Sequence, residues 1–298
     1  KPGGSGLDGG MNMFRWTRQS TEAMEEIWHL RLAMIDPESV VMLTRPGSKG
    51  LTIHVFGDQK TTAMLKKDFG GKVARLSKEI LTSNSQQPRA AISIRGRLRI
   101  HSDPASLAGD PQPERAILLP AGMAFGTGDH ATTSTCLRIL VDIARERKNS
   151  NWTVADLGAG TGVLAIAAKH LGAGETFACD FDPFAVAVAQ RNAERNNTPD
   201  IVIKEQDVLK WKPRAKGYDV VLANIFSTVL IEAWPVIAKS LARNGDLVVS
   251  GILATQAWDV FKAAAANGLG FTSVITKGKW VTARGGHMAD LIAKGNAV

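Results

Sequence analysis

The sequence predicts an α/β fold, in which a doubly wound, mostly parallel sheet is covered by helices on both faces and preceded by a small α+β domain. Three observations predict it. Strand-like and helix-like runs alternate regularly from Trp152 onward. The strand-like runs there are almost entirely apolar, which is typical of a parallel sheet that is buried on both faces. A glycine cluster directly follows the first of these strands, at the edge where doubly wound sheets bind ligands.

The amino-terminal half follows a different pattern. From Met11 to about Gln87 a strand, a helix, an extended pair, a second helix and a further strand follow one another, which favours a small α+β domain. The polar, aperiodic segment Thr82–Pro88 is the candidate linker. We therefore expect an expression scar over 1–10, a small domain over 11–87, a connecting segment over 88–117 and the main domain over 118–298.

In the main domain the apolar periodicity predicts each element in turn. The expected strands lie within 152–158, 175–182, 200–208, 218–226 and 246–252. The expected helices lie within 163–172, 183–197 and 227–245, and Pro183 stands at the first turn of the second of these helices.

Composition narrows the class of protein. The 298 residues carry a formal net charge of +8, which favours an acidic or phosphate-rich partner. No apolar run approaches eighteen residues and no secretory leader is recognisable, so we expect a cytoplasmic protein without a membrane span. Cys136 and Cys179 lie within apolar periodic segments, so we expect buried free thiols and no metal site.

One basic segment, "RAAISIRGRLRIH" (89–101), has apolar residues at alternate positions. Interpreted as one strand, it would place Arg95, Arg97 and Arg99 together on one face. That face is either an ordinary solvated strand face or a docking surface for an anion such as RNA.

The glycine cluster "DLGAGTG" places Gly158, Gly160 and Gly162 between a strand and a helix. A dinucleotide site would space its glycines as G-x-G-x-x-G, but the third position here is Val163. An acid, Asp156, followed by closely spaced glycines instead looks like the nucleoside-binding loop of S-adenosylmethionine-dependent methyltransferases. A purely structural glycine turn is the alternative.

Polar residues follow the next strands. The second strand ends in "CDFDPF", and an acid about twenty residues after the glycine loop suits hydrogen bonds to ribose hydroxyls. Asp180 and Asp182 both qualify, but Asp182 precedes Pro183 and is a natural helix cap, so we assign the ribose to Asp180. Asp207 either bounds an adenine pocket or is a solvated strand end.

Asn224 stands where the fourth strand ends, beside the glycine loop. Its side-chain carbonyl can accept a hydrogen bond from an incoming amine or hold the methionine part of a cofactor. A turn asparagine that caps the following helix is the alternative.

Together, "AGMAFGTGDHATT", "DLGAGTGVLAIAAKHLGA", "CDFDPFAVAVAQRNAERN", "ANIF", "GDLVVSGIL" and "KWV" resemble the ribosomal protein L11 methyltransferase (PrmA-type) family over about Leu118–Val281. The resemblance implies a Rossmann-like class I methyltransferase domain with S-adenosyl-L-methionine as cofactor. It implies cofactor binding by Thr133, Gly158, Asp180 and Asn224, and we add Asp156 and Gly160 from the same loop. It also implies that the amino-terminal domain selects the protein substrate.

By the same resemblance, the first glycine-rich loop lies over the methyl-transfer site. Phe125 would face the positive sulfur or the arriving ammonium with its ring, and we count it with Asn224 as catalytic. Gly126 and Thr127 would contact the cofactor as the loop closes. For His130 we expect an orienting or capping role rather than that of a general base.

The sequence departs from the family pattern in three places. Asp129 and Ala131 replace a threonine and a proline, and Phe226 begins an unusual stretch after Asn-Ile. The acidic, tryptophan-rich interdomain segment is not evident.

The function we expect is N-methylation of lysine or amino-terminal amines, in ribosomal protein L11. A methyltransferase of another protein or of RNA, or a non-catalytic cofactor-binding module, is the alternative.

Overall fold

The computed structural model describes residues 14–32, 35, 39–44, 50–76, 91–120, 130–147 and 151–295. Phe125, Gly126, Thr127 and the candidate linker 82–88 lie outside the described residues, as do residues 1–10. The chain divides into two compact units, residues 1–88 and 89–298.

The first unit is built on a four-stranded antiparallel sheet with the order β2-β3-β1-β4. Trp16 on β1 and the alternate residues Leu51, Ile53 and Val55 on β3 are fully buried, so the period-two pattern sets which face meets the helices. The elements are β1 (Phe14–Thr21), α1 (Glu25–Arg31), β2 (Val40–Thr44), β3 (Gly50–Gly57), α2 (Gln59–Phe69) and β4 (Lys72–Arg75). The predicted small α+β fold is confirmed.

The second unit contains a seven-stranded sheet with the order β10-β9-β8-β11-β12-β14-β13, in which β14 runs antiparallel to both neighbours. Its strands are β8 (Val154–Leu157), β9 (Thr176–Asp180), β10 (Val202–Glu205), β11 (Tyr218–Asn224), β12 (Leu241–Leu253), β13 (Leu269–Lys277) and β14 (Trp280–His287). Its main helices are α4 (Ala131–Glu146), α5 (Val163–His170), α6 (Pro183–Arg195), α7 (Ser227–Ser240), α8 (Ala257–Ala266) and α9 (Met288–Ala293).

Both faces of this sheet are buried. Along β11, Val220 and Leu222 belong to one hydrophobic core, and Val221 and Ala223 belong to the other. Alternation of side chains across the strand therefore feeds two helical layers, which confirms the predicted doubly wound α/β fold. The chain order reverses between β8 and β11, and in open α/β sheets the crevice that binds ligands lies outside the carboxyl ends of the strands at such a point.

Residues 91–120, for which the sequence predicts a connecting segment, are folded into the second unit. They form β5 (Ile92–Ile94), β6 (Leu98–His101), α3 (Pro104–Ala108) and β7 (Ala116–Leu118), with the strands in a three-stranded sheet. Ile94, Leu98 and Ile117 are buried in the same core as α4.

The prediction of one continuous strand through the basic segment is wrong. Arg97 N donates to Ile94 O at 3.0 Å, and the two residues between them, Arg95 and Gly96, have φ of 52° and 64°. Positive φ at both central residues defines a two-residue hairpin turn of type I′. Arg95 and Arg97 therefore lie in the turn while Arg99 lies on β6, so the three arginines share no strand face.

Two of these arginines are paired with carboxylates. Arg95 Nη2 lies 3.0 Å from Asp142 Oδ2, and Arg99 Nε lies 2.6 Å from Asp110 Oδ2. The carboxylate of Asp110 is fully buried and also accepts from the ring of His101. These contacts attach the hairpin to α4 and to the loop after α3, a structural role that accounts for two of the three cations.

A buried asparagine holds the chain just ahead of the first glycine-rich segment. Asn196, which follows α6, accepts from Leu118 N at 2.7 Å and donates to Leu118 O at 2.9 Å. Its amide also donates to Asn192 O at 2.8 Å, and only 6% of the residue is exposed. The side chain thus pairs both backbone groups at the end of β7.

We expect Asn196→Ala to lower the free energy of unfolding by about 3 kcal/mol, because both buried backbone groups of Leu118 would lose their partner. Urea unfolding measures the change. The exposed Gln190→Ala on α6 is the control and should change it by less than about 0.5 kcal/mol. Equal losses in the two variants would contradict this role for Asn196.

Candidate functional site

The candidate site lies at the carboxyl ends of β8, β9 and β11, where the strand order reverses. The sequence-predicted residues Gly158, Gly160, Asp180 and Asn224 all follow or end these strands, and Thr133 joins them from the first turn of α4. The structure therefore brings together the predicted residues that it describes.

The glycine loop needs glycine for two separate reasons. Gly158, Gly160 and Gly162 have φ of 73°, 54° and 77°, in the region that side chains rarely adopt. At Gly158 a Cβ would also lie 2.2 Å from Cγ2 of Ile225, in the loop after β11. The two loops are in direct contact, which fixes the wall of the crevice.

The amides of this loop point into the protein. Gly158 N and Ala159 N donate to Cys179 O at 2.8 and 2.9 Å, and Gly160 N donates to Asp180 Oδ2 at 2.9 Å. A pyrophosphate site needs such amides free to bind oxygen anions. Because β9 already pairs these three, the loop suits an uncharged nucleoside better than a dinucleotide.

Asp156 supports the loop from beneath. The residue is 1% exposed, and its Oδ2 accepts from Ala165 N at 3.1 Å, the third residue of α5. Gly162 stands in the capping position and has no side chain to satisfy that amide, so Asp156 does so from the neighbouring strand. Its Oδ1 is buried without a hydrogen-bond partner among the described residues.

Burial raises the pKa of Asp156 to about 7; the hydrogen bond from Ala165 opposes this rise, and the nearby charge of Asp180 adds to it. Near neutral pH the carboxyl therefore exists in both protonation states in the folded protein. Asp156 therefore supports the glycine loop from beneath, which differs from the direct cofactor contact that we expect from the sequence.

Asp180 is half-buried at the end of β9. Its two oxygens accept one amide each, Oδ2 from Gly160 N and Oδ1 from Asp182 N at 3.1 Å. Burial raises the pKa of Asp180, whereas these amide hydrogen bonds lower it. Each carboxylate oxygen keeps further acceptor capacity, which suits a pair of neighbouring hydroxyls.

Asp207 has a local role. Its Oδ1 accepts from Leu209 N at 2.9 Å and so caps a short 3-10 helix, Val208–Lys210. Lys210 Nζ lies 3.3 Å from its other oxygen. These contacts favour the strand-end interpretation over an adenine contact.

Asn224 has a side-chain acceptor that no described residue uses. Its Nδ2 donates to Thr133 Oγ1 at 3.4 Å, while its Oδ1 is buried without a partner among the described residues. The alternative of a helix cap is wrong, because α7 begins at Ser227 and the half-exposed Phe226 occupies the capping position. An unpaired buried carbonyl costs about 1–3 kcal/mol, which a ligand N–H would offset.

His130 caps α4, as expected. Its Nδ1 lies 2.7 Å from Thr132 Oγ1 and accepts from Thr132 N at 3.4 Å. Its ring meets the edge of Trp280, with 5.3 Å between ring centroids. With Nδ1 engaged at the helix start, His130 orients the first turn that carries Thr133.

Sequence reasoning missed the support given by Ile225. Besides covering Gly158, its backbone fills the space beside Gly251, where φ is 80° and a Cβ would lie 2.4 Å from Ile225 O. The positive φ of Gly251 could not be predicted from a strand-like run. The glycine within "VVSGIL" was the available signal.

Ser106, His101 and Asp110 are also hydrogen-bonded in series. Ser106 Oγ donates its proton to Asp103 O at 2.8 Å, so this hydroxyl is engaged locally and is no activated nucleophile. Among the described residues no cluster of three or more His, Cys, Asp or Glu could hold a metal ion. In the same part of the chain, every helix is too short or too polar to cross a membrane.

Asp156→Asn should make stability less dependent on pH. Between about pH 4 and 7 the folded protein keeps a proton on Asp156 that the unfolded chain has lost, because burial raises the pKa of this carboxyl. The free energy of unfolding of wild type should therefore contain a component that falls as pH rises through this range. The asparagine lacks this component, and three pKa units correspond to at most about 4 kcal/mol. We expect urea unfolding at pH 5 and pH 8 to show that the free energy of unfolding of the variant, relative to that of wild type, is higher at pH 8 than at pH 5.

Glu194→Gln, the same chemical change at an exposed position of α6, is the control and should differ from wild type by less than about 0.5 kcal/mol at both pH values. A variant of Asp156 that tracks wild type at both pH values would contradict the buried-carboxylate role.

Comparison with known proteins agrees with this geometry. Residues 82–287 match the family model for ribosomal protein L11 methyltransferase (PrmA). A ribosomal protein L11 methyltransferase from Myxococcus xanthus is 35% identical over 282 residues, which is 88% of this chain and 93% of that protein. A shorter match to the enzyme of the same name from Pelotomaculum thermopropionicum is 43% identical and covers 55% of this chain and 52% of that protein.

Among solved structures, a ribosomal protein L11 methylase from Lactobacillus delbrueckii subsp. bulgaricus matches 66% of this chain and 98% of its own, with 27% identity and a TM-score of 0.57. The fold is thus the Rossmann-like class I methyltransferase fold. The chain belongs to the ribosomal protein L11 methyltransferase (PrmA) family and is an S-adenosylmethionine-dependent protein methyltransferase.

Proposed function

We propose that this enzyme methylates amine nitrogens, of lysine side chains or of the amino terminus, in ribosomal protein L11. The substrate follows the names of its relatives. The observation that carries the chemistry is the buried Oδ1 of Asn224, which has no partner among the described residues and lies where the strand order reverses, because a neutral amine carries the N–H that such an acceptor lacks.

The described residues fit the cofactor. Asp180 keeps acceptor capacity on both oxygens for the ribose hydroxyls, and the inward-turned amides around Gly158 leave a neutral wall for the nucleoside. The contact of Thr133 with Asn224 supports a role for Thr133 in holding the methionine end. When bound, S-adenosylmethionine supplies an electrophilic methyl group on a positively charged sulfur.

The protein's own contribution is alignment. A lysine has an ordinary pKa of about 10.4 and must lose its proton before it can attack. A partly dry crevice next to a positive charge favours the neutral amine, so no dedicated base is required. Asn224 Oδ1 accepts one N–H and directs the lone pair, while Ile225 packs against Gly158 next to it.

Three roles extend this proposal to residues outside the described ranges. Phe125 would face the reacting groups, and Gly126 and Thr127 would contact the cofactor as their loop closes. The two glycine-rich segments then divide the work, the second around the nucleoside and the first over the methyl group. The small domain over 11–87 would recognise the protein substrate.

RNA contact through Arg95, Arg97 and Arg99 has less support than the protein substrate. Arg95 is paired with Asp142, and Arg99 is paired with Asp110. Among the described residues, Arg97 is therefore the one arginine of the three without a carboxylate partner. RNA as the methyl acceptor is therefore an outcome of the test below rather than a second proposal.

Asp180→Asn should raise the dissociation constant for S-adenosylhomocysteine about 10- to 100-fold. An amide offers one acceptor oxygen where the carboxylate offers two, so either a loop amide or a ribose hydroxyl loses its partner. Asp182→Asn is the matched control and should change the constant less than threefold. Isothermal titration calorimetry measures both, and a larger effect at Asp182 would reverse the assignment.

The function is tested with cofactor labelled in its methyl group, mixed with the full chain and either ribosomes or ribosomal proteins from cells that lack this enzyme. We expect label in L11 that resists ribonuclease and maps by mass spectrometry to amine nitrogens. In Asn224→Ala turnover should fall about 100-fold, whereas Asn267→Ala, at the residue that follows α8, should keep it.

Label that disappears with ribonuclease would identify RNA as the acceptor. Tight cofactor binding without label in any protein would favour the non-catalytic module. Either result would contradict the proposal.

A further inference from the structure

A cavity of about 360 Å³ lies between α4 and the edge strand β13, and it shares no residue with the strand-end site. One helix face and one strand line it. Thr135, Arg138, Ile139 and Asp142 are spaced as one face of α4, and the other side is lined by four residues of β13, Ser273, Ile275, Thr276 and Lys277.

The lining is strongly cationic. Arg95, Arg138, Lys277 and Arg284 contribute four positive charges, against the single acid Asp142. Two of these cations are already paired: Arg95 with Asp142 at 3.0 Å, and Arg284 with acids on α4 and β12.

Arg138 and Lys277 remain available. Arg138 is exposed, and its side chain makes no ion pair or hydrogen bond with any residue within the described ranges. Lys277 Nζ donates to Ser134 Oγ at 3.3 Å, which leaves donors of its ammonium for a ligand and places that group against α4. Within the described ranges its charge has no carboxylate partner.

A hydroxyl group completes the donor set. Ser273 lines the same cavity on the strand face that it shares with Lys277, is exposed, and has no side-chain hydrogen bond to other described residues. Two cations on different elements together with this hydroxyl match a phosphate-type anion with several acceptor oxygens. A single carboxylate needs only one bidentate arginine, as Arg284 shows with Glu146 in this protein.

We propose that this cavity is a second binding site, which accepts a phosphate group through Arg138 and Lys277. The phosphate belongs either to an RNA backbone or to a small phosphorylated molecule, since both present anionic phosphate oxygens, with one charge in a phosphodiester and up to two in a phosphomonoester. The site goes beyond the proposed methyl transfer and does not depend on it.

Position gives the site a mechanical link to the methyl-transfer region. Ser134, which anchors Lys277, is adjacent in sequence to Thr133, which contacts Asn224. A phosphate held between α4 and β13 would therefore bind against the helix that also carries a wall of the active site.

The test compares a pocket double variant, R138Q with K277Q, and a control double variant, R191Q with K262Q, which removes the same charge from exposed positions on α6 and α8. The probes are inorganic phosphate, followed by ³¹P line broadening, and a fluorescein-labelled 12-nucleotide single-stranded RNA, followed by anisotropy between 50 and 300 mM KCl. A glutamate 12-mer of similar charge is the third probe. Circular dichroism and S-adenosylhomocysteine binding verify that each variant folds.

We expect the pocket variant to bind inorganic phosphate at least tenfold more weakly than the control variant. If RNA is the natural source, the pocket variant also lowers the slope of log affinity against log salt by about 0.7, since Arg138 and Lys277 hold one phosphate and each lost phosphate contact on a single strand contributes about 0.7. A pocket effect on phosphate without one on RNA supports a small phosphorylated ligand.

Two results would overturn the site. In the first, the pocket and control variants behave alike with both phosphate probes. In the second, the glutamate 12-mer binds as tightly as RNA and loses affinity equally in the pocket variant, which would show that the cavity does not select phosphate.

Discussion

The active-site end of this domain depends on one buried carboxylate. Asp156 lies beneath the glycine loop and satisfies an amide at the start of α5 that Gly162, without a side chain, leaves open. In a dinucleotide-binding domain a phosphate stabilises the corresponding helix end from outside. Here the protein supplies the acceptor itself, so the loop can serve a ligand whose nucleoside carries no phosphate.

That arrangement determines what the rest of the crevice can do. Because the amides of Gly158 and Gly160 are hydrogen-bonded to β9, a ligand must be bound mainly by the side chains at the strand ends. Asp180 both holds the loop and keeps lone pairs for hydroxyls, so loop geometry and nucleoside binding are coupled through one residue. Ile225 adds the steric half of the constraint, because its contacts with Gly158 and Gly251 fix the backbone from which Asn224 projects.

The sequence predicts this region well because its signals are local. Apolar runs define the strands of a buried parallel sheet, and the polar residues that end these runs then lie at the same edge of the sheet, as Asp180 and Asn224 do. The failures involve longer range or finer conformation. Period two continues across "ISIRGRLRI", since Arg95 and Gly96 preserve the alternation while reversing the chain, and only the glycine signalled a type I′ turn.

Long-range hydrogen bonds also could not be predicted from the sequence. Nothing near Asn196 indicates that it would pair Leu118, 78 positions away, or that residues 91–120 would complete the core around α4. Such contacts depend on how the elements pack in the tertiary structure. The hydrophobic pattern of one element does not indicate which other element it will contact.

The distribution of positive charge shows why net charge alone is a weak guide to function. Much of the basic character has a structural use: Arg147 and Arg284 both pair with Asp246, and Arg99 pairs with the buried Asp110. A cation in such a pair contributes little field at long range, because its charge is neutralised nearby. The charges that can act on a partner are those without a carboxylate, and among the residues lining the cavity beside α4 these are Arg138 and Lys277. A pI near 9.6 therefore becomes informative only after the paired cations are set aside, and in this cavity that leaves Arg138 on α4 and Lys277 on β13.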